Sequence, residues 1–422
     1  VQRNGMNPRN SLMISLNASE GNHMHANGIS MELYGKGYVL GPDAGIGLYL
    51  YSGLDYAEYY SQFPSHNTVC VDGISSYPVM KSNHSFELLS CFPASSAAVA
   101  VKDKFPSVTY SDVYFREPES RADQIRMMSI VTTGPETGYY IDIFRSRKEL
   151  GGDKMHDYFY HNLGQEMTLT AADGTDLNLR PTEELAFAGA HLYAYSYLFD
   201  KKCARTGEDV KAVFTIKMPD KDDIRMNMWM KGEENRTVFS ALSPMTEGLS
   251  RTPGMPYNIK EQPTLTFVAR QEGEAWNRPF VAVYEPSTVK EAEQITSVTF
   301  PEVKCGQPGS HVGICVTQKS GRTDYILSSD SAAHLCSMNN GMKASATYAL
   351  SSNRKGEDCT LFLGNGTLLQ TPAVVVKANV PVSVLLEKGA DGWYCTASGA
   401  CTITLNGKTY KIEKSVTEKT KL

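Results

Sequence analysis

Short runs of β-branched and aromatic residues, broken by turn formers, recur along almost the whole chain. "TVCVDG", "AVFTIKM", "TLTFVAR", "FVAVYEP", "DYILSS", "CTLFLGNG" and "AVVVKANVPVSVLLEKG" are each closed by Gly, Pro, Asn, Asp or a charge and predict strands. The C-terminal "GWYCTASGACTITLNGKTYKIEK" predicts a hairpin series, with a two-residue turn at Asn406–Gly407. Helical periodicity is scarce; "PSTVKEAEQI" predicts one or two helical turns. Many short strands predict an all-β chain, a multi-stranded antiparallel β-sandwich (supersandwich) with a smaller C-terminal β-sheet domain. The Pro/Gly-containing break "FPEVKCGQPGS", residues 300–310, sets the expected boundary between a central β-sandwich over 1–304 and a C-terminal β-sandwich domain over 305–422.

At 422 residues the chain exceeds what one core organises, so more than one domain is expected. Hydrophobic residues at 41% and charged residues at 21% are the balance of a globular protein. A formal net charge of −5 gives no reason to expect nucleic acid or an anionic membrane as partner. No apolar run is long enough to span a bilayer as a helix. The nine cysteines are scattered without a CxxC pair, which argues against a thiolate zinc site and a small disulfide framework. Most are expected as small buried hydrophobes; Cys395 and Cys401 are placed where a hairpin bridge is open to them. The chain opens on "VQRNGMNPRN", without Met or a signal-like segment, so the expectation is a removed leader or a piece of something longer.

The chemistry concentrates near the start. Between residues 23 and 73 stand His23, His25, Asp43, Asp55 and His66, with Tyr34, Tyr38, Tyr49, Tyr51, Tyr56, Tyr59 and Tyr60. Two positions apart on a strand, His23 and His25 would share a face. Gly41, Gly45 and Gly47 flank Asp43 and let the backbone turn tightly there. Two imidazoles and a carboxylate from separate strands make a standard zinc donor set. Their spacing is not a local metal motif, and satisfied polar groups at strand ends account for the same residues. His161, between aromatics in "YFYHNLG", reads as a hydrogen-bonded core residue. His84, His191, His311 and His334 are isolated and read as structural.

The ordered set "HMHAN", "ISMELYGKG", "PDAGIG", "DYAEYY" and "SHNTVCVDG" resembles the signature of the heparinase II/III-like family of polysaccharide lyases. The resemblance covers residues 20–73; beyond them only "YYIDIFR", "HDYFYHNLGQ" and "GRTDYILSS" follow it diffusely. It implies a structural zinc ion (Zn2+) held by His25, Asp43 and His66, and a cleft lined by His23. It also implies a catalytic tyrosine, Tyr60 or Tyr56, with Asn27 and Tyr51 as substrate contacts. Two departures stand out: Asn27 replaces the family's usual Asp, and "SQFPS" precedes His66 where many members carry an Arg.

The implied reaction is β-elimination on a uronate-containing polysaccharide, a glycosaminoglycan or alginate-like polymer. A base removes the C5 proton, the neighbouring carboxylate is neutralised, and an acid protonates the departing 4-oxygen. In the family part of that machinery comes from an upstream α/α-toroid domain, so this chain is expected to carry only the sandwich share of the site. A uronate C5-epimerase and a non-catalytic carbohydrate-binding module are the alternatives. The resemblance also implies a bacterial periplasmic or secreted protein; a homodimer is a further partner left open.

Overall fold

The structure is a computed structural model that describes residues 1–22, 25–45, 55–74, 81–82, 85–94, 105–186, 194–246 and 262–422. It divides into two compact units: Val1–Leu89 with Asp112–Glu293, and Ser90–Ser111 with Gln294–Leu422. Antiparallel strands dominate both. No helix among the described residues is long and apolar enough to cross a membrane.

The first unit is a β-sandwich. One sheet contains, in spatial order, Glu166–Ala171, Val210–Ile216, Ile224–Met230, Ala275–Thr288, Thr137–Lys148 and Ala122–Gly134. A sheet of six strands contains Arg180–Pro181, Phe199–Arg205, Arg236–Ser243, Thr264–Glu272, Met155–Asn162 and Val69–Val71. Aromatic side chains fill the space between them. Tyr160 meets Phe214 edge-on at 5.4 Å and Tyr284 at 4.8 Å, and Tyr158 meets Phe280 at 5.4 Å. Rings of this size dominate the burial that stabilises a sandwich.

A third sheet carries the N-terminal strands Gln2–Arg3, Met13–Asn17, Ser30–Gly35 and Tyr38–Gly41. It lies close on the sandwich because two of its positions lack a side chain. A Cβ at Gly35 would stand 2.8 Å from Pro286, and one at Gly41 2.9 Å from the Tyr160 ring. Tyr140 fastens the contact by donating its hydroxyl to the Tyr34 carbonyl.

In the second unit the long sheet runs Ile295–Thr299, His311–Gln318, Arg322–Ser329, Lys343–Arg354, Glu357–Gln370, Val374–Gly389, Gly392–Ala397 and Val416–Lys421. Its core contains Leu327, Leu361, Leu363, Val384 and Ile403, all essentially inaccessible to solvent. The hairpin expected at Asn406–Gly407 joins Cys401–Leu405 to Lys408–Ile412. Both turn residues have positive φ, 48° and 84°, the geometry of a type I′ turn.

The helical turns expected in "PSTVKEAEQI" are absent. Pro286, Ser287 and Thr288 instead pair with Met226, Arg225 and Ile224 at the end of a strand. Thr288 then closes a turn with Glu291 through reciprocal bonds of 3.0 Å, and the next strand starts at Ile295. Sheet pairing overrode a helical preference that six intervening residues could not sustain. Cys395 and Cys401 form no bridge; all nine cysteines are free thiols.

One charged group lies at the centre of the first unit. The Arg126 and Asp142 side chains are both fully buried. The guanidinium makes a two-pronged bond to the carboxylate at 2.9 and 2.6 Å. It also donates to the carbonyls of Ile29 and Asn67, both at 2.6 Å. Tyr158 adds a hydroxyl bond to Asp142 at 2.6 Å. Arg126→Met should leave the Asp142 charge buried without its partner and cost about 3–5 kcal/mol, read as a lowered urea midpoint. An unchanged midpoint would show that the pair does not hold the sandwich together.

Candidate active site

Asp43 and His66 meet although they lie 23 positions apart in the chain. Asp43 follows the Tyr38–Gly41 strand, and His66 ends a 3-10 turn, Phe63–Ser65, whose Phe63 carbonyl accepts the His66 N–H. His66 Nδ1 lies 2.8 Å from Asp43 Oδ2. The carboxylate also receives the Ser30 hydroxyl at 3.2 Å and the Gly45 N–H at 3.1 Å. Two residues along from Ser30, Glu32 accepts the Asp43 N–H at 3.2 Å, as the period-two geometry of a strand allows. Burial works against the Asp43 charge. His66, by charge and hydrogen bond, then Gly45 and His25 outweigh it and hold the carboxyl well below the usual carboxylate range.

His25 completes the group. Its ring lies 5.5 Å from that of His66 and meets Tyr56 edge-on at 5.6 Å. Burial, and then the neighbouring His66, push its pKa down to about 4, against the pull of Asp43. The imidazole is therefore neutral at physiological pH, the form that binds metals. His66 Nε2 is fully buried and makes no hydrogen bond. A buried ring nitrogen left without a partner is costly, and a metal would satisfy it. Two imidazoles and a carboxylate are donor types of a zinc site; in this structure Asp43 bonds His66 through Nδ1, which leaves His66 Nε2 as the ring nitrogen open to a metal.

Asn67, next in the chain to His66, organises this region. Its amide donates to the Met31 and Pro42 carbonyls at 2.9 Å each. Its side-chain oxygen accepts the His161 N–H at 2.6 Å and lies 3.1 Å from His161 Nδ1. One side chain therefore joins the Ser30–Gly35 strand, the turn before Asp43 and the Met155–Asn162 strand. His161 is buried beside the site. Burial and then His66 lower its pKa to about 3, against the pull of Asp43 and of the Pro64 backbone. Sequence reading made it a core residue; its place next to His66 comes from the Asn67 bonds.

The tyrosines differ from one another. Tyr56 to Tyr60 form a single π-turn, capped by Asp55. Tyr56 borders His25. The Tyr60 hydroxyl donates to the Met245 carbonyl at 2.7 Å, and its ring is buried. Tyr59 stacks on Tyr197 at 5.5 Å, and Tyr197 bonds Glu58 at 2.8 Å. Asn27 is buried, with its side-chain oxygen accepting the Ser19 N–H at 3.1 Å. His23 and Tyr51 lie outside the described residues.

Residues 7–111 match the family model for the heparinase II/III-like C-terminal domain, and residues 303–387 that for the C-terminal domain of endo-acting ulvan lyase. The first of these is the heparinase II/III-like family that the motif set at residues 20–73 resembles, and the match covers about a quarter of the chain. An endo-acting ulvan lyase from Formosa agariphila is 31% identical over 324 residues, an alignment covering 73% of this chain and 38% of that protein. This chain therefore spans well under half the length of that curated relative. A crystal structure of a heparan sulfate lyase HepC mutant from Pedobacter heparinus aligns with a TM-score of 0.35 and 13% identity, over 78% of this chain and 39% of that one.

The Asn67 amide is the most direct handle on this arrangement. Asn67→Asp keeps the shape but turns an acceptor toward the Met31 and Pro42 carbonyls, so a loss of about 2 kcal/mol or more is expected. Equilibrium urea unfolding reads it, and a stability equal to that of the parent would remove Asn67 as the organising residue.

Proposed function

We propose that this chain is the β-sandwich part of a polysaccharide lyase that cleaves a uronate-containing acidic polysaccharide by β-elimination. The observation that carries this reading is the convergence of His25, Asp43 and His66, held by Asn67, inside the ordered motif set at residues 20–73. The acidic polymers in view are glycosaminoglycans and alginate-like chains. The name of the 31% identical relative adds ulvan and makes it the first to try.

The reaction needs a base for the C5 proton, neutralisation of the adjacent carboxylate and an acid for the leaving 4-oxygen. The C5–H electrons form the C4–C5 double bond as the bond to the 4-oxygen breaks. His25, Asp43 and His66 would hold a zinc ion, whose contribution is to lock the strands that carry the cleft. His23 would meet the uronate, with Tyr60, whose hydroxyl donates to the Met245 carbonyl, or Tyr56, beside His25, as the catalytic tyrosine. Asn27 and Tyr51 complete the substrate contacts in this reading. An upstream α/α-toroid domain of the same gene product supplies the remaining groups, and the protein works in the periplasm or outside the cell.

The complete gene product, incubated with ulvan, alginate and glycosaminoglycans, should raise the ultraviolet absorbance of an unsaturated uronate on one of them. A folded, metal-loaded protein silent on all of them, with inversion at C5 in the recovered polymer, would identify an epimerase instead. His25→Ala, Asp43→Ala and His66→Ala should each lose bound zinc and fall in stability. Retention of stoichiometric zinc by all three would dismiss the site. His23→Ala should keep metal and fold while activity disappears; an unaltered rate would take His23 out of the mechanism.

A further inference from the structure

Four side chains that nothing in the lyase reading uses come together in the second unit. Single ligand atoms from Cys305, His311 and His334 all lie within 4.8 Å of one another. Cys336 is the cross-strand partner of Cys305 in the pairing of Lys304–Cys305 with Leu335–Ser337. Its sulfur stands 3.5 Å from His311 Nδ1.

We propose that Cys305, His311, His334 and Cys336 form a binding site for a zinc-like divalent metal ion, separate from the one near His66. Two thiolates and two neutral imidazoles are a complete tetrahedral donor set for such an ion. Binding forms two metal–sulfur and two metal–nitrogen bonds and releases the two thiol protons to solvent.

The surroundings are built for ligation. His311 Nε2 donates to the Gln307 carbonyl at 3.1 Å, which leaves Nδ1 as an acceptor shared between the Ser329 hydroxyl at 3.2 Å and Cys336 at 3.5 Å. A metal-bound histidine characteristically makes this kind of outer bond through its other nitrogen. His334 Nδ1 is buried and makes no hydrogen bond; Asp330 Oδ1, at 3.7 Å, is beyond bonding distance. The His334 ring is held against the backbone of Gly309, where a Cβ would stand 3.0 Å from it. The two imidazoles meet edge-on at 5.4 Å.

A Cys305–Cys336 disulfide is the competing use of the two sulfurs. It would leave the His334 nitrogen with no hydrogen bond and only the Asp330 carboxylate at 3.7 Å. A metal uses all four groups and ties the Pro/Gly-containing break after residue 300 to the Leu335–Ser337 strand. All four residues fall within the segment, 303–387, that matches the ulvan lyase C-terminal domain.

Cobalt(II) is the discriminating probe, because a thiolate-to-cobalt charge-transfer band arises only where sulfur is a ligand. The His25, Asp43 and His66 group is silent in that band. The full chain, reduced and stripped of metal, should develop the band with one equivalent of Co2+ and lose it when one equivalent of Zn2+ is added. Cys305→Ser and His334→Ala should abolish the band, while Cys359→Ser, a thiol elsewhere in the same unit, should keep it. Absence of the band in the folded, reduced parent chain overturns the site. So does a Cys305–Cys336 disulfide, found by peptide mapping of protein purified without reductant. Neither result depends on a variant that folds.

Discussion

The buried Arg126–Asp142 pair is the constraint on which the first unit depends. A charge this deep is tolerated only when its partner and its remaining hydrogen bonds are all supplied. Asp142 supplies the partner, and the carbonyls of Ile29 and Asn67 supply the rest. Asn67 is next in the chain to His66, and Ile29 precedes Ser30, whose hydroxyl bonds Asp43. Satisfying one guanidinium in the core therefore fixes the backbone from which the site is built. Asn67 extends the same logic outward, since its side chain bonds three further strands or turns while its carbonyl serves Arg126.

The two histidine centres share a physical theme. In each, one ring nitrogen lacks a hydrogen bond: His66 Nε2 in the first unit, His334 Nδ1 in the second. In each, the other components are fixed by backbone groups rather than by solvent. Gly45 bonds Asp43, and the Gln307 carbonyl orients His311. They differ in donor type. The first offers oxygen and nitrogen beside a tyrosine-rich turn, and the second offers sulfur and nitrogen on a small side sheet.

Much of the molecule was legible along the chain. Turn formers between β-branched runs announced the antiparallel sheets, and Asn406–Gly407 announced its hairpin, because both signals are local. The His25, Asp43 and His66 group was legible only through the order of several motifs, since no fixed spacing joins ligands from separate strands. "PSTVKEAEQI" misled because pairing of Pro286–Thr288 with the Ile224–Met230 strand is a non-local event. His161 was read as a core histidine, and its adjacency to His66 followed from the Asn67 bonds. The absence of CxxC argued against a thiolate zinc site, yet Cys305 and Cys336, 31 positions apart in sequence, are partners across two strands.

By itself, then, the sequence determined the kinds of element and the stretch in which the chemistry would lie. Strand propensity, turn geometry and motif order are properties of contiguous residues. Tertiary structure decided which side chains meet. Pairing brought Cys305 opposite Cys336, the Arg126 knot set Asp43 against His66, and the π-turn turned Tyr56 toward His25 while tying Tyr60 to Met245. Such meetings depend on register and on the satisfaction of buried polar groups, which only the folded chain expresses.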